Sequence, residues 1–213
     1  MVDTLLKHRK TSQVSTILQR PGIRLNDRTR ETGKYALVNL HRSSNVDDRE
    51  TFLEILLALT TIGSKVLVIF PMHPRTVARV KEFGFEAHCR VLSASEKLDH
   101  HGRGPYCIEP LFYLDVPCLT SNATLVLTRS GGIQEETTTL GVPCVTLRDN
   151  TECPVTITEG ANILAGTRKG RIISHAVRRL KSSHKTGRPK FLDGRAGERI
   201  IRDLVKKINA SRK

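Results

Sequence analysis

Short apolar runs rich in β-branched residues alternate along this chain with longer amphipathic segments. The runs predict buried β-strands over Tyr35–Leu40, Lys65–Phe70, Thr124–Thr128 and Pro143–Leu147. Apolar residues at helical spacing between these runs predict α-helices over Asp48–Thr61, Arg75–Phe83 and Ser130–Leu140. Strands that alternate with helices are typical of a parallel sheet with helices on both faces. We therefore expect the α/β class with a Rossmann-like sheet.

Two further amphipathic segments lie at the ends of the chain. Asp3–Gln19 and Arg195–Ile208 each place apolar residues on one side of a predicted helix, which needs an apolar surface to cover, in this domain or outside it. Asn45 and Asp47 are candidate N-caps of the first internal helix, and Gly141 closes the third. The chain has no internal repeat, so we expect one domain over residues 1–213.

The composition is that of a globular protein in a reducing compartment. The chain has 213 residues, of which 38% are hydrophobic, and this is enough for a core. Its five cysteines form no Cys-x-x-Cys pair, so neither a disulfide framework nor a zinc knuckle is predicted. No apolar run approaches the roughly 18 residues that a membrane-spanning helix needs. We expect a cytoplasmic protein without a membrane partner.

A net charge of +14 raises the question of a nucleic-acid partner. Nine basic residues and no acidic ones lie between Gly160 and Leu192. However, aromatic residues make up only 4% of the chain, tryptophan is absent, and no RNA-recognition, zinc-finger or basic-zipper motif accompanies the basic run. A solvated basic face is the favoured interpretation, so nucleic acid is not expected as a partner.

The segment Thr128–Glu136 combines a strand end, a glycine turn and a helix start. Ser130 is a favoured N-cap type, and Gly131 and Gly132 would let a ligand approach backbone N–H groups at the positive end of the helix dipole. That arrangement suits a phosphate. Glu136, four residues beyond Gly132 on the same helical face, offers a carboxylate to a ribose diol. The segment predicts a nucleotide site, and the alternative is a plain turn with a cap.

Basic side chains follow the predicted strands at the edge where a parallel sheet binds ligands. These candidates for a diphosphate site are His41, Arg42, His73, Arg129 and Arg148. A histidine after a strand also commonly caps a loop, and two imidazoles without a third ligand at a recognisable spacing do not predict a metal. The motifs of lipases, kinases and dehydrogenases are missing from the sequence, and no cofactor is expected.

A set of motifs follows in a fixed order along the chain. The motifs are His41-Arg42, Asn45-Val46-Asp47-Asp48, Pro71-Met72-His73-Pro74-Arg75-Thr76, Glu109-Pro110-Leu111, Ser130-Gly131-Gly132-Ile133-Gln134-Glu135-Glu136, Gly141-Val142-Pro143 and Leu147-Arg148-Asp149-Asn150-Thr151-Glu152. In order and spacing they resemble the non-hydrolysing UDP-N-acetylglucosamine 2-epimerases. The resemblance extends from Met1 to Ile200 and is highly specific.

The resemblance implies the second domain of a GT-B fold, in which two Rossmann-like domains hold a UDP-sugar in the cleft between them. In the family, UDP is eliminated to give a 2-acetamidoglucal and is then added back, which inverts C2. The resemblance also implies that Ser130, Gly131 and Gly132 hold the diphosphate. Glu136 would then hold the ribose, and His41 would assist the departure of UDP as a catalytic residue. The implied ligand is UDP or UDP-N-acetylglucosamine.

The carboxylates that move protons at C2 and C3 belong to the family's first domain, which this chain does not resemble. A separate amino-terminal domain or a homo-oligomer is therefore an expected partner, and the chain alone is expected to lack epimerase activity. Two other functions stay open. They are an inactive module that binds UDP or a UDP-sugar, and one half of a GT-B glycosyltransferase.

Three residues depart from the family pattern. Arg129 replaces the aspartate that usually precedes Ser-Gly-Gly, and Cys153 replaces an arginine. Val116 stands where an aromatic residue often lies near the uracil. These departures reverse one charge, remove another and remove a stacking surface, so they bear directly on UDP affinity.

Overall fold

The computed structural model describes residues 1–19, 34–40, 46–91, 104–181, 187 and 189–211. The strands are β1 Tyr35–Asn39, β2 Leu67–Pro71, β3 Arg90–Val91, β4 Tyr106–Ile108, β5 Leu125–Thr128, β6 Cys144–Thr146 and β7 Asn162–Leu164. The helices are α1 Val2–Gln13, α2 Arg49–Gly63, α3 Pro74–Glu82, α4 Asp115–Asn122, α5 Gly131–Leu140, α6 Val155–Thr158, α7 Lys169–Lys181 and α8 Ala196–Ala210. Short 3₁₀ turns occur at Ile17–Gln19 and Glu86–His88.

The strands form one seven-stranded sheet in the order β3-β4-β2-β1-β5-β6-β7. Every described pair of neighbouring strands is parallel. The expected α/β class with a Rossmann-like parallel sheet is thus confirmed. Strands β2, β3 and β4 lie on one side of β1, and β5 to β7 lie on the other, so the direction of winding reverses between β1 and β5. In open α/β sheets, ligands bind outside the carboxyl ends of the strands at this switch point.

Helices cover both faces of the sheet, and successive residues of a strand contact opposite layers. Ala36 and Val38 of β1 belong to a core that includes Phe52 of α2 and Ile172 of α7. Tyr35 and Leu37 of the same strand belong to the other core, which includes residues of α4 and α5. Because the side chains of a strand alternate between its faces, β1 is buried on both sides and reads as an unbroken apolar run.

The four predicted strands are confirmed, with ends that differ by one or two residues. Strands β3, β4 and β7 were not predicted. They contain only two or three residues each, which is too short for a period-two pattern to stand out from the loops around them. Their place in the sheet comes from backbone pairing with neighbouring strands, as in the register that joins Phe70 to Cys107.

The predicted internal helices are confirmed, but the N-cap of α2 is Asp48. Its carboxylate accepts a hydrogen bond from the Thr51 backbone N–H at 2.8 Å. Asp47, which was expected to cap, instead pairs with Arg75 and Arg79 of α3, and this part of the prediction is wrong. The alternative cap, Asn45, lies outside the described residues.

The two end segments differ in how far the prediction holds. The amino-terminal helix α1 ends at Gln13, six residues before the predicted end. Ser15 provides the reason, because its hydroxyl accepts from the Ile17 N–H and donates to Asp115, and such side-chain bonds compete with helical ones. The carboxyl-terminal helix α8 is confirmed over Ala196–Ala210, and none of its residues is buried. Within the described ranges, no helix is both long and apolar enough to cross a lipid bilayer.

Candidate functional site

The switch point between β1 and β5 carries the predicted site. A cavity of about 170 Å³ opens beside it at the carboxyl ends of the central strands. The ends of β1 and β2 and the loop after β4 line this cavity, through Leu37, Val38, Asn39, Leu40, Pro71, His73, Pro110, Leu111 and Val116. The lining is mostly apolar, with one imidazole and one side-chain amide, which is the usual character of a small-ligand pocket.

The glycine turn connects β5 directly to α5. Ser130 takes the N-cap position with extended backbone angles, φ −79° and ψ 127°. Its N–H donates to the Thr128 hydroxyl at 3.0 Å, and that hydroxyl donates to the Asn39 carbonyl of β1 at 3.2 Å. The Ser130 hydroxyl makes no capping bond to α5, contrary to the expectation from its residue type. The Thr128 hydroxyl therefore holds the turn, and the Ser130 hydroxyl is not used to cap α5.

Both glycines are in close contact with side chains from elsewhere in the chain. A Cβ at Gly132 would lie 2.3 Å from the terminal methyl carbon of Met1. A Cβ at Gly131 would lie 3.3 Å from a carboxylate oxygen of Glu152. The first N–H groups of a helix have no partner within the helix and carry the positive end of its dipole. The backbone at the start of α5 is thus closely approached by one apolar and one negatively charged side chain.

Glu136 is a buried carboxyl group one helical turn beyond Gly132. Only 4% of its surface is exposed. Burial raises its pKa to about 7, the α-amino group of Met1 opposes the rise, and Glu135 adds to it. Removal from water disfavours the charged form of a carboxyl group, and this effect dominates here. Near neutral pH the side chain therefore interconverts between an acceptor and a donor–acceptor form.

Arg148 reaches the same region from the loop after β6. Its guanidinium donates two hydrogen bonds to the Glu152 carboxylate, at 3.0 and 2.8 Å, and one to the Asn150 side-chain oxygen at 3.1 Å. Its side chain is 12% exposed, whereas that of Glu152 is 59% exposed. Arg148, a predicted cation of the site, is therefore linked to the glycine turn through its bidentate ion pair with Glu152. The sequence predicted no role for Glu152.

His73 lines the cavity and forms the N-cap of α3. Its Nδ1 accepts a hydrogen bond from the Arg75 N–H at 3.3 Å. In the neutral ring the proton then belongs on Nε2, which can donate to a ligand. Arg129 lies half-buried between β5 and Ser130. His41 and its neighbour Arg42 lie outside the described residues.

Comparison with known proteins adds to this geometry. The family model for UDP-N-acetylglucosamine 2-epimerase matches residues 1–205. The chain belongs to this epimerase family. It is 42% identical over 174 residues to the UDP-N-acetylglucosamine 2-epimerase of Methanocaldococcus jannaschii, an alignment that covers 80% of this chain and 44% of the relative. It is 33% identical over 179 residues to the Escherichia coli enzyme, again with 80% and 44% coverage.

A solved epimerase structure carries the ligands that the site predicts. The Methanocaldococcus jannaschii enzyme in complex with UDP-GlcNAc and UDP superposes with a TM-score of 0.75 at 35% identity, over 96% of this chain and 52% of that one. The Neisseria meningitidis enzyme, at 24% identity and a TM-score of 0.69, supports the fold alone. The chain thus spans about half the length of its relatives, and its expected likeness to half of a GT-B-type epimerase agrees with these lengths.

A buried amide network holds the epimerase glycine turn against the loop after β6. The Gln134 side-chain oxygen accepts from the Thr151 hydroxyl at 2.6 Å and from the Asn162 amide at 3.0 Å. The Thr151 hydroxyl in turn accepts from the Cys153 N–H at 3.0 Å. Gln134 and Thr151 stand 17 residues apart, so no local spacing reveals their contact. Both residues lie within the ordered motifs, but the sequence predicted a role for neither.

All three departures from the family pattern lie in or next to the candidate site, Arg129 by preceding Ser130. Val116 lines the cavity, where it offers an aliphatic surface instead of an aromatic one. Cys153 lies 4.0 Å from the Cβ position of Gly131. Burial raises the pKa of its thiol to about 11, and Glu135, whose carboxylate accepts from the thiol at 3.5 Å, adds to the effect. The thiol is therefore neutral, and the substitution replaces a cation with an uncharged group.

Some arginines of the basic run form contacts within the chain. In α7, Arg171 pairs with Asp149 at 3.5 Å, and Arg179 donates to the Asn162 carbonyl at 3.5 Å. Part of the basic run therefore serves contacts within the chain. In the part of the chain that the structure describes, no group of three or more histidine, cysteine, aspartate or glutamate side chains is arranged to hold a metal ion.

Proposed function

We propose that this chain is the nucleotide-binding, carboxyl-terminal half of a UDP-N-acetylglucosamine 2-epimerase, and that it binds the UDP moiety as one domain over residues 1–213. The observation that carries the proposal is the unit formed by the glycine turn and the buried Glu136, at the switch point of a parallel sheet. Membership of the epimerase family supports it, as does the UDP-GlcNAc and UDP complex of a relative. A reducing cytoplasm is the proposed compartment, in keeping with five cysteines without a Cys-x-x-Cys pair.

The nucleotide would lie along the carboxyl edge of the sheet. The N–H groups at Gly131 and Gly132, with the Ser130 hydroxyl, are proposed to hold the diphosphate, because a helix start favours a negative charge. The Glu136 carboxylate would accept hydrogen bonds from the ribose diol. The base would then enter the cavity beside Val116, whose aliphatic side chain gives contact without stacking.

Cations around the diphosphate complete the proposed site. His73 can donate from Nε2, and Arg129 and Arg148 add guanidinium groups. By resemblance, Arg42 would join them and His41 would assist the departure of UDP. Stabilising the leaving diphosphate is the part of the reaction that such groups perform, since negative charge develops on it as the bond to the sugar breaks.

The remaining chemistry would require groups that this chain does not supply in the proposed site. Proton transfer at C2 and C3 of the sugar needs an acid or base within hydrogen-bond reach of those carbons. The proposed source is a separate amino-terminal domain or another copy in a homo-oligomer, facing the sugar across a cleft. A chain that is about half the length of its relatives is consistent with such a division of labour.

Calorimetric titration with UDP, UMP, uridine and pyrophosphate tests the proposal. UDP is expected to bind more tightly than any of its fragments, because it contacts the turn, Glu136 and the cavity together. Amide NMR shifts should concentrate at Gly131, Gly132 and Glu136. A variant with Glu159→Gln, an exposed charge outside the proposed site, should bind UDP as the parent does. An absence of both heat and amide shifts at millimolar UDP would reject nucleotide binding by this chain.

A further inference from the structure

The Glu152 carboxylate stands where an anionic ligand of the glycine turn is expected. One of its oxygens lies 3.3 Å from the Cβ position of Gly131, in the first turn of α5. The same carboxylate forms both hydrogen bonds of a bidentate pair with Arg148. A bidentate guanidinium–carboxylate pair has the same donor geometry as a guanidinium–phosphate pair. Glu152 therefore places a negative charge close to Gly131 and on Arg148, the two places where the proposed diphosphate would lie.

The two members of this ion pair differ in their freedom to move. The Arg148 side chain is 12% exposed and also donates to Asn150 at 3.1 Å. The Glu152 side chain is 59% exposed. If the pair separates, the Glu152 carboxylate is exposed enough for water to solvate it, whereas the Arg148 guanidinium still donates to Asn150. A ligand with more negative charge than a carboxylate can therefore compete with Glu152 for Arg148.

We propose that Glu152 is a specificity-determining residue that occupies the anion position beside Gly131 until a diphosphate displaces it and takes over Arg148. This inference rests on the proposed function, because it assigns the diphosphate to the same glycine turn. A ligand must then supply enough negative charge to replace a carboxylate already in place. A diphosphate carries the most charge and can place one phosphate at the glycine turn and another on Arg148, a monophosphate carries less charge and has one phosphate for both, and a nucleoside carries none. Glu152 thereby makes the site select UDP over UMP and uridine.

A double-mutant cycle with pyrophosphate as the titrant tests this inference. The four proteins are the parent, Glu152→Gln, Arg148→Met and the double variant. Glu152→Gln keeps the shape of the side chain and removes its charge, so pyrophosphate should bind about five- to tenfold more tightly. In the Arg148→Met background the same change should bring less than about a twofold gain, because no guanidinium is released. If Arg148→Met does not fold, Arg148→Lys takes its place, since lysine cannot form the bidentate pair.

The selectivity of the site gives a second measurement. The ratio of UDP to UMP affinity should fall by about threefold or more in Glu152→Gln, because the monophosphate no longer competes with a resident carboxylate. Glu159→Gln removes one exposed negative charge seven residues away and should change neither pyrophosphate affinity nor this ratio. Equal thermal unfolding midpoints of the parent and Glu152→Gln would show that both measurements compare intact proteins.

The possible outcomes distinguish failure of the inference alone from failure of both the inference and the proposed function. If the parent binds UDP and Glu152→Gln leaves pyrophosphate affinity unchanged or weaker, the inference alone is wrong. If Glu152→Gln raises pyrophosphate affinity equally in the Arg148→Met background, the Glu152 charge only repels the ligand from nearby. The proposed displacement of Glu152 from Arg148 is then rejected. If the parent binds neither ligand while Glu152→Gln binds pyrophosphate, the carboxylate blocks the site without being displaced, so displacement by a diphosphate and UDP binding by this chain are both rejected. If no variant binds either ligand, both are rejected.

Discussion

Two carboxyl groups beside the glycine turn have opposite surroundings. Glu136 is 4% exposed, and burial raises its pKa to about 7. The Glu152 side chain is 59% exposed and lies in an ion pair. The buried group is therefore sensitive to pH near neutrality, whereas the exposed group responds to the charge of a ligand. The same residue type is thus proposed to have two roles, and the difference comes from solvent exposure and from the ion pair with Arg148.

UDP affinity is expected to weaken as the pH falls through 7. Protonation of Glu136 removes the negative acceptor for the ribose diol, and a loss of roughly three- to tenfold between pH 8 and pH 6 is expected. The phosphates of UDP titrate in part of this range, so the measurement is a calorimetric pH series on the parent and on Glu136→Gln. In the Glu136→Gln variant, the pH dependence of UDP affinity that comes from the phosphates remains, and the part that comes from the Glu136 carboxyl group is lost. Parallel pH slopes for the two proteins would contradict the role of Glu136.

The same carboxyl is expected to reduce the stability of the fold at high pH. Folding raises the pKa of Glu136 from 4.5 to about 7, so the folded state binds an extra proton between these values and stability falls as the pH rises through them. Glu136→Gln should be more stable than the parent by roughly 3 kcal/mol above pH 7, with the difference shrinking towards zero near pH 4.5. Urea unfolding near pH 4.5 and above pH 7 measures this difference in the free energy of unfolding. The variant Glu159→Gln, which changes an exposed carboxyl group, serves as control. A pH-independent difference would show that packing, and not charge, is responsible.

Helix α5 requires a specific backbone conformation at its end as well as at its start. Gly141 closes the helix with φ 73°, in the left-handed region that disfavours residues with a Cβ. Gly141→Ala is expected to lower the free energy of unfolding by about 1 kcal/mol. Gly170→Ala is the matched control, since a Cβ there meets nothing within 4 Å and alanine favours a helix, and it should be neutral or slightly stabilising. If the two variants had equal stability, the conformational argument would be wrong.

Helix α8 is joined to the described fold only through its beginning. The Asp3 carboxylate of α1 accepts from the Gly197 N–H at 3.1 Å. Beyond that point the helix exposes an apolar stripe, each side chain of which is 50–61% exposed, made of Ile200, Ile201, Leu204, Val205 and Ile208. Isolated helices of this length are marginal in water, and an apolar face of this kind favours association.

The chain by itself is therefore expected to self-associate in the micromolar range. Replacing Ile201 and Leu204 together with lysine places two charges in the stripe and should shift the protein towards monomer in sedimentation velocity. Val14→Lys changes a side chain that is 77% exposed elsewhere and should leave the association unchanged. A parent that stays monomeric at all accessible concentrations would show that the stripe does not drive association in the isolated chain.

At the scale of the whole molecule, the chain spans about half the length of its relatives. We expect the purified chain to convert no UDP-N-acetylglucosamine to its manno epimer, because the proposed site contains groups for the nucleotide and none for the sugar carbons. Coupled capillary electrophoresis of the two UDP-sugars measures this. When the separately expressed amino-terminal half of the Methanocaldococcus jannaschii relative is added, we expect conversion to appear. Turnover by the chain alone would overturn the division proposed between the two halves.

The central part of the fold was predictable, whereas the edges of the sheet were not. Strands such as β1 and β5 are buried on both faces, so each is an apolar run that the sequence displays directly. The two-residue β3 and the three-residue β7 have no such pattern. At the site, the glycine turn and Glu136 were identifiable from local spacing. Glu152 and Gln134 were not, because Glu152 approaches Gly131 of α5 from the loop after β6, and Gln134 bonds to residues outside α5.

The sequence by itself determined the alternation of strands and helices, the family, and the residue types of the turn, because these follow from local periodicity and ordered motifs. Only the tertiary structure decided the state of those residues. In the folded chain, Glu136 is buried and its pKa is raised. The Thr128 hydroxyl, and not that of Ser130, holds the turn. Glu152 lies close to Gly131 and pairs with Arg148. The physical reason is that charge state, solvent exposure and ion pairing depend on neighbours brought together by folding, and the distance between two residues along the chain does not encode them.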